Sequence, residues 1–223
     1  MTNDALNLEG KLSKSIESEQ LGKLTASYAE LGLDTILEDG LLKDIPILGT
    51  ITSLAKIGFN MRDRVYLKKL ILFLSQMSDV SQEQREEFVK KSCIGNRYFE
   101  ETIMLIIEKA DRFEKTQLIG KIFKSSIIGK ISSKTAFLLS DIVNNTYWAD
   151  LSEVLFLTLP LSEIAMQRLY SVGLLIECDD TFLEPNPEIT LDEIKYEISD
   201  YTHLLSLIHF NKHDDINDYY RSI

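Results

Sequence analysis

The sequence predicts a mainly α-helical chain, an antiparallel helical bundle followed by a small C-terminal α+β module. Three observations lead there. Apolar residues recur at helical spacing along most of the 223 residues. Only four prolines and ten glycines interrupt that pattern. Serines stand where the periodic stretches begin, as helix caps do. An apolar content of 44% with 26% charged residues is that of a folded domain rather than a disordered chain.

Residues 1–18 are polar and aperiodic and are expected to be a flexible N-terminus. The helical bundle is expected over 19–145. Its first helix, 19–37, carries Leu21, Leu24, Tyr28, Leu31 and Ile36, with Gly32 and Gly40 weakening or ending it. Pro46 suits the first turn of the next helix, with Asp44 as its cap, and Ile47, Leu48, Ile51, Leu54, Ala55 and Gly58 follow a helical period. The third helix, 61–76, buries Leu67, Leu70, Ile71, Leu74 and Met77. Ser81 and Gln84 form a capping box before a helix with Phe88 and Val89 inward. Helices follow at 96–110 and 112–128. Gly129 closes the second of these, and Ser132 or Ser133 opens the next, 133–145.

The character changes after Asn144-Asn145. A short apolar helix over 151–158 is broken at Leu159-Pro160, and Ser162 caps another that ends at Val172 and is closed by Gly173. Residues 174–177 and 181–184 bracket Asp179-Asp180 as a β-hairpin. A third strand is expected at 195–198, Asp200 begins a last helix reaching Phe210, and 213–223 is a polar tail. The run Ala165-Met-Gln-Arg-Leu-Tyr-Ser-Val-Gly173-Leu-Leu-Ile, followed by Tyr196-Glu-Ile-Ser199, resembles the reading-helix-and-wing end of a winged-helix module. That resemblance covers 150–212 and rests on a degenerate pattern. Ile45-Pro-Ile-Leu-Gly49 followed by Arg62-Asp-Arg64 is similar to a segment of uncharacterised bacterial helical proteins, a likeness that implies no activity.

The net charge is −11, and its distribution is uneven. From Leu175 to Ile223 twelve acids face three bases; from Ile45 to Gln76 five bases face Asp63 alone. A winged helix that reads DNA needs bases on its helix and wing. Here Arg168 is the one base between Leu151 and Ile194, and Asp179, Asp180 and Glu184 lie on the wing. Nucleic acid is therefore a disfavoured partner, and these four residues are instead candidates for protein contact.

Tests for chemistry fail one by one. His209 and His213 have the i,i+4 spacing of metal ligands but no accompanying Glu, and read as an exposed, unligated pair. No Gly-x-Ser-x-Gly elbow or P-loop occurs, and Cys93 and Cys178 match no metal or redox spacing; two free buried thiols are expected, a disulfide being the alternative. No catalytic residue, cofactor or metal is expected. The N-terminus lacks a secretory pattern, so a cytoplasmic location is expected.

One segment stands apart. Ile45 to Ala55 carries no charge, and with Lys56, Phe59, Arg62 and Arg64 it could form an amphipathic helix at a membrane interface. The other reading is a core helix whose small residues Gly49, Ser53, Ala55 and Gly58 permit close helix approach. The candidates for a membrane or partner helix are Ile45, Pro46, Ile47, Leu48, Ile51, Leu54, Lys56, Phe59, Arg62 and Arg64. Three functions follow as expectations. The first is a non-enzymatic scaffold, adaptor or self-assembling component. The second is a membrane-acting effector, as in bacterial growth arrest or phage defence, using 41–75 and peripheral to the membrane. The third is an atypical DNA-binding regulator.

Overall fold

A computed structural model describes residues 10–30, 35, 39–55, 58, 60–93, 98–156, 161–177 and 196–216. It is mainly helical, with one two-stranded antiparallel sheet among those residues. The chain divides into two compact units, Met1–Ser140 and Asp141–Ile223. The first holds twenty bases against nineteen acids, a net +1, and the second four against sixteen, a net −12.

In the first unit α1 is Lys11–Glu17, inside the stretch expected to be flexible. Leu12 and Ile16, one turn apart, are fully buried, and Ser13 and Ser15 are buried with them. Ser15 satisfies itself locally by donating to the Lys11 carbonyl at 2.7 Å, and its hydroxyl accepts the Ile47 N–H at 2.8 Å. A serine that closes its own hydrogen bonds can be buried. Over 19–30 the expected helix is instead two 3₁₀ turns, Glu19–Lys23 and Ala26–Glu30, and of the rest of that expected helix only Thr35, which is helical, is among the described residues. Leu21 and Leu24 are both buried, and their i,i+3 spacing fits the three-residue repeat of a 3₁₀ turn as well as one face of an α-helix. Ser18 caps the first turn by accepting the Gln20 N–H.

Helix α2, Gly40–Asp44, is capped by Asp39, which accepts the Leu42 N–H at 3.1 Å. Asp44 thus ends one helix rather than capping the next. Ile45 is the extended joint, and Pro46 opens α3, Pro46–Ala55. Helix α4, Met61–Ser75, begins with a capping box between Asn60 and Asp63. Helices α5 (Gln82–Cys93), α6 (Phe99–Lys109), α7 (Phe113–Ile127) and α8 (Ser133–Asn145) follow close to expectation. Ser81 and Ser132 accept the N–H groups of Gln84 and Thr135 as caps, and Gly129 closes α7 at φ +76°.

Edge-to-face rings run through the core of this unit. Phe88 meets Phe99 at 5.8 Å, Phe99 meets Phe137 at 6.0 Å, Phe137 meets Phe123 at 5.4 Å, and Phe123 meets Phe73 at 5.6 Å. One continuous aromatic contact therefore ties α5, α6, α8, α7 and α4, each pair adding about 1 kcal/mol beyond its area burial. Helix α7 crosses α4 at Gly120, where a Cβ would lie 2.8 Å from the Phe73 carbonyl oxygen. Only a glycine lets the two backbones approach so closely.

Arg85 is the largest departure from what a charged residue on a polar helix suggests. It is 2% exposed. Its guanidinium donates to the carbonyls of Ile16 at 2.6 Å, Ser18 at 2.9 Å and Val80 at 3.2 Å. Those carbonyls end α1, open the 3₁₀ turn and precede α5, so one planar fork fastens three chain reversals.

In the second unit α9 is Trp148–Leu155 and α10 is Glu163–Ser171, the latter capped by Ser162 accepting the Ala165 N–H. Strand β1, Leu175–Glu177, pairs antiparallel with β2, Tyr196–Ile198, in the register Leu175–Ile198, Ile176–Glu197 and Glu177–Tyr196. The hairpin partner expected at 181–184 lies outside the described residues. Ser199 caps α11, Asp200–His209, and its hydroxyl donates to the Gly173 carbonyl at 2.7 Å. Thr202 adds a bond to the Leu174 carbonyl at 2.5 Å, so the turn after α10 is stitched to the start of α11.

Candidate functional site

The apolar stretch comes first. Ile45, Ile47 and Leu48 are fully buried and Ile51 is 6% exposed, while Pro46 is half-buried. They face α1 and α2, with which α3 packs. Leu54 falls on α3 but its side chain is outside the described set, as are Lys56 and Phe59. Arg62 and Arg64 are both exposed on α4. The structure thus gathers Ile45, Ile47, Leu48 and Ile51 into the core of the first unit and leaves these two arginines on its surface. No described helix is long and apolar enough to cross a membrane. A consequence can be measured. The intact chain is expected to stay at the bottom in flotation with anionic liposomes and to release no entrapped dye; flotation would mean that α3 leaves the core.

Arg62 is ion-paired with Glu108, and Lys69 donates from Nζ to the Glu108 carbonyl at 2.8 Å. Both residues line an open groove of about 540 Å³ between α4 and α6, with Asp63, Val65, Tyr66, Glu101, Met104 and Leu105. Burial draws the Lys69 ammonium below its usual pKa against the pull of Glu108 and Asp111, and burial with Glu108 pushes the Tyr66 phenol well above its own. Two bases face three acids here; Arg62 and Lys69 fasten the two helices through Glu108, and Asp63 caps α4.

The acids Glu17, Glu86 and Glu100 approach one another where α1, α5 and α6 meet. Burial, then Glu86 and Glu100, raise the Glu17 pKa. Among the described residues no set of three or more His, Cys, Asp or Glu side chains is placed to hold a metal ion. His209 and His213, expected as an exposed pair, do not share a helix face, and neither is exposed. Helix α11 ends at His209, Asn211 turns the chain at φ +58°, and His213 is buried beyond the turn.

In the second unit Arg168 is committed internally. Its Nε and Nη2 donate to Asp150 Oδ2 at 2.6 Å and Oδ1 at 2.8 Å, and its guanidinium lies 5.8 Å from the Tyr147 ring. Asp150 is 4% exposed and Arg168 about half exposed, so the arginine covers a buried carboxylate and joins α10 to α9. The hydrogen bond to Asp150 raises the guanidinium's pKa further above its ordinary value. Asp179, Asp180 and Glu184 lie outside the described residues. Replacing Arg168 with methionine is expected to lower the melting temperature of the chain, because it strands a buried carboxylate. Adding Asp150→Leu should recover much of that loss. A double variant no better than the single would show that the pair is not what holds α9 to α10.

A third feature was not legible beforehand. Phe156 and Phe210, the residues that end α9 and α11, are 54% and 44% exposed and touch edge-on at 5.5 Å. His209 completes the cluster at 5.3 Å from Phe156 and 4.9 Å from Phe210. In the sequence Phe156 falls inside the short apolar helix expected over 151–158 and Phe210 at the end of the last helix, and nothing local marks them as surface. Compared with protein-family models, curated proteins and solved structures, the chain matches none. Its function is therefore argued from the chemistry of its surface.

Proposed function

We propose that this chain is a non-enzymatic protein that works through protein–protein contacts made by its second unit, as an adaptor or as a component that assembles with other chains. One observation carries the reading: a unit of net −12 exposes large apolar side chains, Phe156, Phe210, Tyr147, Ile164 and Tyr170 among them. Exposed aromatics mark contact surfaces, since they lose little entropy and gain much area on burial. The order of helix, helix, strand, strand and helix supports reading this unit as winged-helix-like. Its charge supports a role in protein contact over nucleic-acid binding, because the single base of α10 already serves Asp150 and phosphates would be repelled.

Size-exclusion chromatography with light scattering, joined to pull-down from the native host, tests this. A stable partner or oligomer is expected, weakened by charge reversal at Asp179 and Asp180. A persistent monomer without a partner sinks it.

A further inference from the structure

We infer that the Phe156–His209–Phe210 cluster is a docking site for a cationic, arginine-bearing segment of a partner protein. The inference rests on the protein-contact reading above and names the chemistry of the contact. Helices α9 and α11 pack together, and their ends meet, since the residues that terminate them are in ring contact. Each helix end concentrates about half a unit of negative charge on its last carbonyls. Two such ends meet at the cluster, and aromatic ring faces are also negative.

The surroundings have the same sign. Glu153 is exposed one turn before Phe156, and Asp214 and Asp215 are exposed just after α11. Lys212 is the one base close in sequence. A cation is therefore attracted by the unit as a whole, by the two helix ends and by the rings. Arginine suits this place better than lysine, because its planar guanidinium stacks on rings while donating to carbonyls and carboxylates beside them. A second copy of the same unit would bring another −12 and be repelled, and a nucleic acid or anionic lipid would be repelled likewise. The occupant that complements the surface is a basic polypeptide.

The test uses the full chain and fluorescence anisotropy with three labelled peptides in which glycine alternates with arginine, lysine or glutamate. The arginine peptide is expected to bind severalfold more tightly than the lysine peptide of equal charge, and the glutamate peptide not at all. The double variant Phe156→Ser/Phe210→Ser should lose about fivefold or more of the arginine affinity, a change of about 1 kcal/mol. A control that removes two exposed acids elsewhere in the unit, Glu163→Gln/Glu177→Gln, should lose less. Because both phenylalanines are about half exposed, the double variant is expected to fold, and amide shifts near Phe156 and Phe210 during titration of the wild-type chain read the same site without substitution. Equal affinity in the double variant and wild type, or equal binding of the arginine and lysine peptides, overturns the inference, even where light scattering has found a partner. Absence of any partner or oligomer overturns the broader reading and this one with it.

Discussion

Arg85→Met is expected to destabilise the chain by about 3 kcal/mol in urea unfolding followed by circular dichroism. The variant keeps much of the side chain's volume and loses the guanidinium. The carbonyls of Ile16 and Val80 would then lose their Arg85 donor in a site that is 2% exposed at Arg85, and that of Ser18 would keep only the Leu21 N–H. A buried acceptor stripped of its partner costs about 1 kcal/mol or more, and here two are stripped at once while a third loses its charged donor. Burial lowers the guanidinium's pKa, opposed by Glu86 and Glu83, so the native state already bears a desolvation cost that the three bonds offset. Arg85→Lys should recover only part of the loss, since one ammonium cannot span three carbonyls in a plane. A loss below about 1 kcal/mol would mean that water reaches the freed carbonyls.

Gly49→Ala is the second large effect, expected at about 2–3 kcal/mol by the same measurement. A Cβ at residue 49 would lie 2.2 Å from the Lys43 carbonyl oxygen and 3.0 Å from its carbon. The neighbour is the backbone of α2, which cannot swing aside as a side chain would. The joint at Ile45 would have to open, carrying with it the buried Ile45, Ile47 and Leu48 and the bond from the Ile47 N–H to Ser15. Gly40→Ala is the control. It stands at the start of α2 with nothing within 4 Å, so it should be neutral or slightly stabilising. If both substitutions behave alike, the close approach of α2 and α3 is not real.

Gly49 also shows what could be read in advance. It stood out as a small residue in an apolar helical run, and the close approach it suggested is there, against α2. Helices α4 to α8 were legible for the same reason, because long periodic stretches bounded by Ser81, Gly129 and Ser132 leave few alternatives. Short elements were not. Seven residues with two leucine-sized positions do not establish a period, so α1 passed for a polar tail, and the i,i+3 pair Leu21/Leu24 passed for one face of a longer helix. Arg85 sits in Glu-Gln-Arg-Glu-Glu, a run that reads as a solvated face; its burial is decided by carbonyls as far away in sequence as Ile16. The aromatic cluster at Phe156 and Phe210 escaped notice because periodicity separates apolar from polar faces, and does not say which apolar face will find a neighbour.

The partition of charge at Ser140/Asp141 has a colloidal consequence. Residues 1–140 sum to +1, close to electrical neutrality at physiological pH, where like molecules lose the mutual repulsion that keeps them apart. Nearly all of the chain's repulsion between copies is supplied by residues 141–223. Any fragment, splice or cationic partner that removes or neutralises the second unit would bring the remainder near its isoelectric point, and the first unit would become prone to self-association without a single one of its own residues having changed.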